Sequence, residues 1–337
     1  MKILGIESSC DECSASVVED GRRVLSNVVL SQVDFHKPWY GVVPEIASRK
    51  HVEWIRPVVQ DGLAVAGVGL DEIEAVAVTF RPGLIGSLLV GLSYAKGLAW
   101  ALGKPLVGVD HILAHLYAPH LERDITYPYL GVLVSGGHTI IARVERWDHI
   151  EVLGTTIDDA CGEAFDKVAK HYGIGFPGGV AIDKLARSGD PRAYRFPRPS
   201  LHKGSAFYDV SYSGLKTAVI HQSDQFWNGT SEKSLPNIAA SFQKAAIDIL
   251  VDRALAAASD ERLSTIIAAG GVAANSYLRQ RMAEEQGVQV IFPSLKLCTD
   301  NAAMVAGYGF HAYKAGLVSD FALNAEARVP MFKRKYP

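Results

Sequence analysis

Cysteine is scarce in this chain: Cys10, Cys13, Cys161 and Cys298 are the only four in 337 residues. Only Cys10 and Cys13 make a C-x-x-C. No second pair or thioredoxin-like context accompanies it, so neither a zinc ribbon nor a redox motif is indicated. Reduced thiols in a cytosolic protein fit best. A surplus of charge is lacking too: 34 Lys and Arg stand against 36 Asp and Glu, a formal net charge of −2. A nucleic-acid partner must then be met by a local basic surface, because the chain as a whole is not a polycation. No charged leader runs into an apolar stretch and no long apolar run stands out, which reads as a cytoplasmic protein with no membrane partner. Periodic repeats and low-complexity segments do not stand out either. What is present, 48% hydrophobic and 21% charged residues, suits a folded chain with two domains or lobes and large cores.

The stretch from Leu130 to Thr139 organises the rest. Val132 to Val134 read as a strand buried on both faces. Ser135, Gly136, Gly137, His138 and Thr139 follow as a turn without bulk at its centre, and Ile140 and Ile141 resume a strand. Glycine lets an anion approach backbone N–H groups closely, so this tip can hold phosphate. Taken alone, an ordinary Gly-Gly hairpin is the better account. A second strand, Leu263 to Ala269, runs into Gly270 and Gly271 and then, past Asn275, into a helix. A nucleotide can lie against such a turn.

Other segments carry candidate chemistry. Ile3 to Ser9, Ser14 to Val18 and Val24 to Leu30 read as three strands, with Asp11 and Glu12 at the first tip. That tip suits phosphate or magnesium, although a solvated turn explains it alone. Pro44 opens a helix expected to run to Pro57, to resume or kink there, and to end near Gly67. A further helix is expected from about Leu84 to Leu102. His111 and His115 are four apart, so on a helix both project from one face at metal-ligand spacing. Ile112 stands where the zinc-protease pattern H-E-x-x-H needs its Glu, so that pattern is absent. Taken by themselves, the two histidines are better explained as surface or capping residues, and a third ligand has to come from elsewhere. Asp158 reads as a helix N-cap, and Asn237 to Ala258 as an amphipathic helix with one buried stripe. Asp300 starts a helix of small residues, as N-cap or as ligand. Arg192, Arg195, Arg198, His202 and Lys203 lie beside Tyr194, Phe196, Phe207 and Tyr208. Basic plus aromatic composition can hold single-stranded or loop RNA, and a solvated loop explains it too.

In order along the chain stand Glu7-Ser-Ser-Cys-Asp-Glu12, Val43-Pro-Glu-Ile-Ala-Ser-Arg49, Pro82-Gly-Leu-Ile-Gly-Ser-Leu-Leu-Val-Gly91, His111 with His115, Ser135-Gly-Gly-His-Thr139, Gly162-Glu-Ala-Phe-Asp-Lys167, Ser213-Gly-Leu-Lys-Thr217, Gly270-Gly-Val-Ala-Ala-Asn275 and Cys298-Thr-Asp-Asn-Ala302. Together they resemble the TsaD family, also called Gcp, and its bacterial branch in detail, over almost the whole chain. The resemblance implies an α/β fold of the actin, sugar-kinase and heat-shock-chaperone type: two lobes on ribonuclease-H-like mixed sheets flanked by helices, with a cleft between them. Residues 1–127 would form the N-terminal lobe and 128–337 the C-terminal lobe, the last helix (about 300–317) packing at the lobe interface. The implied activity is transfer of a threonylcarbamoyl group from threonylcarbamoyl-AMP to N6 of the adenosine 3′ of the anticodon, in tRNAs reading codons that begin with A. The alternative is an actin-like or sugar-kinase-type ATPase without that transfer.

The resemblance also implies one divalent metal, Fe(2+) before Zn(2+), on His111, His115 and Asp300, and an adenylate site at Val134, Ser135, Gly136, Gly137, His138, Asp166, Gly179, Asp183 and Asn275. A TsaB-like paralogue and a TsaE-like ATPase are the implied partners, with tRNA as substrate. Two departures from the family pattern bear on loops: Trp39-Tyr40-Gly41 in place of Tyr-Gly-Gly, and Arg81 in place of Gly. Chemically, a turn of backbone N–H groups suits phosphate, and Asp166 and Asp183 suit ribose hydroxyls because a carboxylate accepts two such bonds. The adenine amine is a weak nucleophile, and Asp11 or Glu12 is the candidate to take its proton. Arg192, Arg195, Arg198 and Lys203 are the candidate tRNA contacts.

Overall fold

A computed structural model describes residues 1–199 and 207–330. The chain forms two compact units, one of Met1–Thr126, Arg146–His149 and Pro293–Val329, the other of Tyr127–Glu145 and Ile150–Phe292. The first change of unit falls beside the expected boundary at 127/128. The C-terminal stretch differs from expectation, because Pro293–Val329 joins the first unit instead of extending the second.

In the first unit, β1 (Lys2–Glu7), β2 (Glu12–Glu19), β3 (Arg23–Val24), β4 (Val28–Ser31), β5 (Ala75–Arg81) and β6 (Leu106–Asp110) make one sheet. Its order is β3-β2-β1-β5-β6, with β4 also pairing β2. The single third strand expected at residues 24–30 is thus two short ones, β3 and β4. β1 runs antiparallel to β2 and parallel to β5, and β5 parallel to β6. Side chains alternate across the sheet, as strand geometry requires. Leu4, Ile6, Val76 and Val78 face one core with Ile55, Val58, Val59 and Leu92. Ile3, Ala75, Ala77, Val107 and Val109 face the other with Met304, Val305 and Ala306.

The first core is roofed by the helices Pro44–Ala66 and Ile85–Leu102. Pro57 sits inside the first without dividing it, and Gly67 ends it at φ 64. Losing one N–H is offset there by the buried face around Ile55, Val58 and Val59. Ile85–Leu102 is long and apolar enough, by length and composition, to cross a membrane, a property missed in reading the sequence. The other core is covered by the helix Ala302–Lys314. Gly5 makes this possible: a Cβ on it would overlap the Ala302 carbonyl and come within 2.7 Å of the Ala306 nitrogen. This close approach explains why the C-terminal helix returns to the first unit.

In the second unit, β7 (Tyr129–Val134), β8 (Thr139–Arg146), β9 (His149–Thr155), β10 (Thr265–Ala269) and β11 (Gln289–Ile291) make a sheet of order β11-β10-β7-β8-β9. β7 is antiparallel to β8 and parallel to β10, which is parallel to β11. The pairing scheme of β2-β1-β5-β6 is therefore repeated in β8-β7-β10-β11. The helix Leu235–Asp260 is longer than expected and has no single stripe. Asn237, Ser241, Gln243 and Asp248 are buried on it as well as its apolar residues, because helices Gly178–Ala186, Ser213–His221 and Ser276–Ala283 pack around it. The helix expected to be capped by Asp158 is Cys161–His171, with Ala160 at the N-cap. Asp158 instead accepts hydrogen bonds from Ser211 Oγ and from the Tyr212 and Ser213 N–H groups.

Candidate metal centre and donor turn

β6 runs directly into the helix His111–Tyr117. Asp110 caps it, accepting from the N–H of Ile112 at 2.9 Å and of Leu113 at 3.4 Å. Arg81, one of the two departures, is bound to this cap: its Nε lies 3.1 Å from Asp110 Oδ2. The helix points His111 and His115 the same way while Ile112 fills the core. Their rings meet edge to face at 4.5 Å.

The third member arrives from far along the chain. Asn301 caps the helix Ala302–Lys314 by accepting from Met304 N–H, which leaves Asp300 free of that duty. Asp300 Oδ1 lies 3.0 Å from His115 Nε2 and 3.5 Å from His111 Nε2. One ligand atom of each of the three residues falls within 4.8 Å of the others. Behind them, His111 Nδ1 is 3.1 Å from Glu7 Oε2 and 3.2 Å from Ser9 Oγ. Glu7 also accepts from Thr79 Oγ1 at 2.6 Å. A carboxylate behind a ligating imidazole fixes its orientation and raises its basicity. Glu7 is the residue that sequence reading missed. Its signal was a carboxylate ending an otherwise apolar strand.

The electrostatics of the cluster suit a cation. Burial disfavours charge on His111, but the Asp300 and Glu7 carboxylates outweigh it and hold its pKa up at about 9. Burial and the neighbouring His111 push His115 down. Two imidazoles and a carboxylate around one point, with a carboxylate behind, fit a divalent ion such as Fe(II) or Zn(II). Asp11 and Glu12 stand at the β1–β2 tip of the same unit. Burial, then the charges of Asp11 and Asp300, raise the Glu12 pKa well above the carboxylate range.

The Ser135 turn belongs wholly to the second unit. Ser135 N–H donates to His138 O at 2.8 Å, and His138 N–H to Ser135 Oγ at 3.1 Å. The N–H groups of Gly136 and Gly137 have no acceptor among the described residues, and a Cβ on either would meet no atom within 4 Å. Val134 is wholly buried, so it offers backbone alone. Gly162 N–H donates to Ser135 O at 3.1 Å, which joins the turn to the helix Cys161–His171. Asp166 on that helix accepts from Gly178 N–H at 2.7 Å. Gly179, next to it, faces open space. Asp183 accepts from Ser276 Oγ at 2.6 Å and pairs with Arg187 at 3.2 Å. Gly270, at φ 91, closes against Val134 O.

Asn275 has a structural duty here. Its Oδ1 caps the helix Ser276–Ala283 by accepting from Leu278 N–H, and its Nδ2 donates to Gln243 Oε1 at 2.9 Å. Asn275→Ala is therefore expected to lower stability by about 1–2 kcal/mol. Chemical denaturation checks this, and an unchanged midpoint would remove the capping role.

The basic cluster is taken apart by its own acids. Arg198 lies 3.3 Å from Asp248 and 3.4 Å from Asp252, and Arg192 is 3.9 Å from Asp190. Arg195 is exposed and forms no ion pair among the described residues. Tyr194 and Phe196, read as RNA-facing aromatics, are buried and stacked at 5.4 Å. His202 and Lys203 lie outside the described residues.

The family model TsaD, described as tRNA N6-adenosine threonylcarbamoyltransferase, matches residues 23–307. A Treponema denticola protein of that name is 63% identical over 335 residues, covering 99% of each chain. One from Borreliella burgdorferi is 50% identical over 336 residues, covering 100% of this chain and 96% of that one. Among solved structures, HypF from T. kodakarensis aligns with a TM-score of 0.63 at 14% identity, over 94% of this chain and 48% of its own. Component A of the Acidaminococcus fermentans (R)-2-hydroxyglutaryl-CoA dehydratase aligns with a TM-score of 0.56 at 14% identity, over 94% of this chain and 99% of its own. At such identities these two speak for the fold, which is that of the actin, sugar-kinase and heat-shock-chaperone class. The close relatives and the family model speak for the activity, acyl transfer to N6 of an adenosine in tRNA: the chain belongs to the TsaD family of tRNA N6-adenosine threonylcarbamoyltransferases.

Proposed function

We propose that the donor is threonylcarbamoyl-AMP and the acceptor the adenosine 3′ of the anticodon, in tRNAs reading codons that begin with A. The adenine N6 attacks the donor carbonyl, the new C–N bond replaces the C–O bond to phosphate, and AMP leaves with the electron pair. The Ser135–His138 turn carries this reading: two glycine N–H groups without acceptors beneath open space suit a phosphate. Asp166, which accepts from Gly178 N–H, and Asp183, which accepts from Ser276 and pairs with Arg187, belong to the same unit as this turn, and their carboxylates suit ribose hydroxyls. Gly179 leaves room for the nucleotide, and Asn275 holds the second glycine turn in place.

His111, His115 and Asp300 would hold the metal, with Glu7 orienting His111. Bound there, a divalent ion, Fe(II) before Zn(II), would supply Lewis acidity to the transfer. Asp11 is the carboxylate proposed to take the N6 proton. Glu12, half-buried beside it, is held towards its neutral form. Reconstitution with the adenylate, partner proteins and unmodified tRNA, read by nucleoside mass spectrometry, tests the donor assignment. Threonylcarbamoyladenosine is the expected product. Absence of that nucleoside from the complete mixture would remove the donor assignment.

The partners proposed are a TsaB-like paralogue and a TsaE-like ATPase, in the cytoplasm and away from membranes. Exposed Val52, Val65, Ile85, Leu89 and Trp100 on the two roof helices support a protein partner there. Among the described residues the proposed tRNA contacts narrow to Arg192 and Arg195, since Arg198 is paired with two carboxylates; Lys203 stays in the proposal. Arg195→Glu is expected to weaken tRNA binding and to flatten its salt dependence, because fewer counterions are released. Arg198→Glu is expected to destabilise the fold through repulsion from Asp248 and Asp252. Filter binding across a salt series checks the first. An unchanged slope for Arg195→Glu would move the RNA surface elsewhere.

A further inference from the structure

Between β4 and the helix Pro44–Ala66 the chain makes a short excursion. Gln32 and His36 are buried and hold it down. Gln32 N–H donates to Asp11 O at 3.0 Å, Gln32 Nε2 to Ala47 O at 3.3 Å, and Val43 N–H to His36 Nδ1 at 3.2 Å. His51, on the following helix, lies 2.9 Å from Cys10 O. The excursion is thus fastened to the β1–β2 tip that carries Asp11 and Glu12, within the same unit as the His–His–Asp group.

Its crest points the other way. Phe35 is 43%, Trp39 58% and Tyr40 39% exposed, three aromatic rings within six residues. Burial is the ordinary fate of such side chains. Tyr40 also has φ 51, one of three described non-glycine residues in the left-handed region, the others being Asp20 and Arg262. Tyr40 ends the short helical turn Lys37–Trp39 in that conformation, a backbone that is strained for a bulky aromatic. Glycine would relieve it. Instead the position keeps a ring beside Trp39.

We propose that Trp39 and Tyr40 form a stacking platform for a nucleobase of the tRNA loop that presents the reacting adenosine. The substrate favours this occupant. Its target base lies in RNA, and sequence-tolerant binding of unpaired bases rests on aromatic faces. A stacked base needs no charged partner, which matches a crest whose Lys37 is already paired with Asp34 at 2.6 Å. Arg49, on the helix that follows, is exposed and forms no ion pair among the described residues. The two residues act on substrate position and take no part in bond making. The inference rests on the tRNA-directed activity and is independent of the donor and metal assignments.

Steady-state transfer with the complete set of partner proteins and unmodified tRNA tests it. Trp39→Ala is expected to raise KM for tRNA about tenfold, with kcat, donor KM and metal content unchanged. Trp39→Phe should retain most of the affinity, because a ring is kept. Tyr40→Gly should hold or raise the melting temperature while raising KM for tRNA, a pairing that a purely structural role would not produce. Unchanged KM in both Trp39→Ala and Tyr40→Gly would overturn the proposal. So would weaker association with a partner protein at unchanged tRNA affinity, which would make the crest a protein contact. A fall in kcat accompanied by metal loss would overturn it as well.

Discussion

His111→Ala, His115→Ala and Asp300→Ala are each expected to lose bound metal and to cut threonylcarbamoyl transfer by about a thousandfold, with the protein still folded. The three side chains converge on one point, with Asp300 3.0 Å from His115 and 3.5 Å from His111. Two remaining ligands hold an ion far less firmly than three. The fold should survive for a local reason. Asn301 and Asp110 cap the two helices involved, so neither cap is removed by these changes. Glu7→Gln should act more mildly, lowering metal affinity about 10–100-fold by loosening His111. Metal analysis, circular dichroism and nucleoside mass spectrometry are the measurements. Full metal occupancy in any two of the three alanine variants would remove the assignment.

A second large effect is expected from one methyl group in the other unit. A Cβ at residue 162 would come within 2.7 Å of Ser135 O and 2.8 Å of Gly136 Cα. Neither is the end of a flexible side chain, so the Ser135 turn itself must shift. Displacing a binding turn by about an ångström can cost about a hundredfold, and Gly162→Ala is expected to lose adenylate affinity on that scale while keeping its metal. Gly179→Ala makes the contrast. Its added Cβ meets no protein atom within 4 Å, and alanine in a helix is favoured over glycine by up to about 1 kcal/mol. That variant should be as stable as the parent or more so, and should still bind the adenylate less well if the nucleotide lies over Gly179. Calorimetry with the adenylate or AMP decides. Unchanged affinity in both variants would place the nucleotide away from this turn.

Much of this was open to reading along the chain. The strand-turn-strand at Val132 to Ile141, the Pro44 helix start, the Gly67 stop and the shared face of His111 and His115 all rest on neighbours within a few residues. Local spacing determines such features, and each came out as read. The reading failed where competition between distant groups set the outcome. Asp158 has every local qualification as a helix cap, yet Ser211, Tyr212 and Ser213 offer three donors and take it. Arg198 belongs to a basic run in sequence and to an acidic pair in space. Tyr194 and Phe196 alternate with arginines along the chain, and the fold turns their rings inward.

By itself the sequence determined the family, the α/β class, the glycine turns and the paired histidines, because motif identity and periodicity are local properties. The resemblance named Asp300 beside the pair, and only the tertiary structure shows what brings it there. Asp300 reaches His115 across 185 residues, and it does so because Gly5 and the small residues of Ala302–Lys314 let that helix lie against β1. Glu7 gained its place behind His111 in the same way, from the pairing of β1 with β5 and of β5 with β6. A contact between residues far apart in sequence depends on how closely backbones can pack, and that is settled by the volume of every side chain between them.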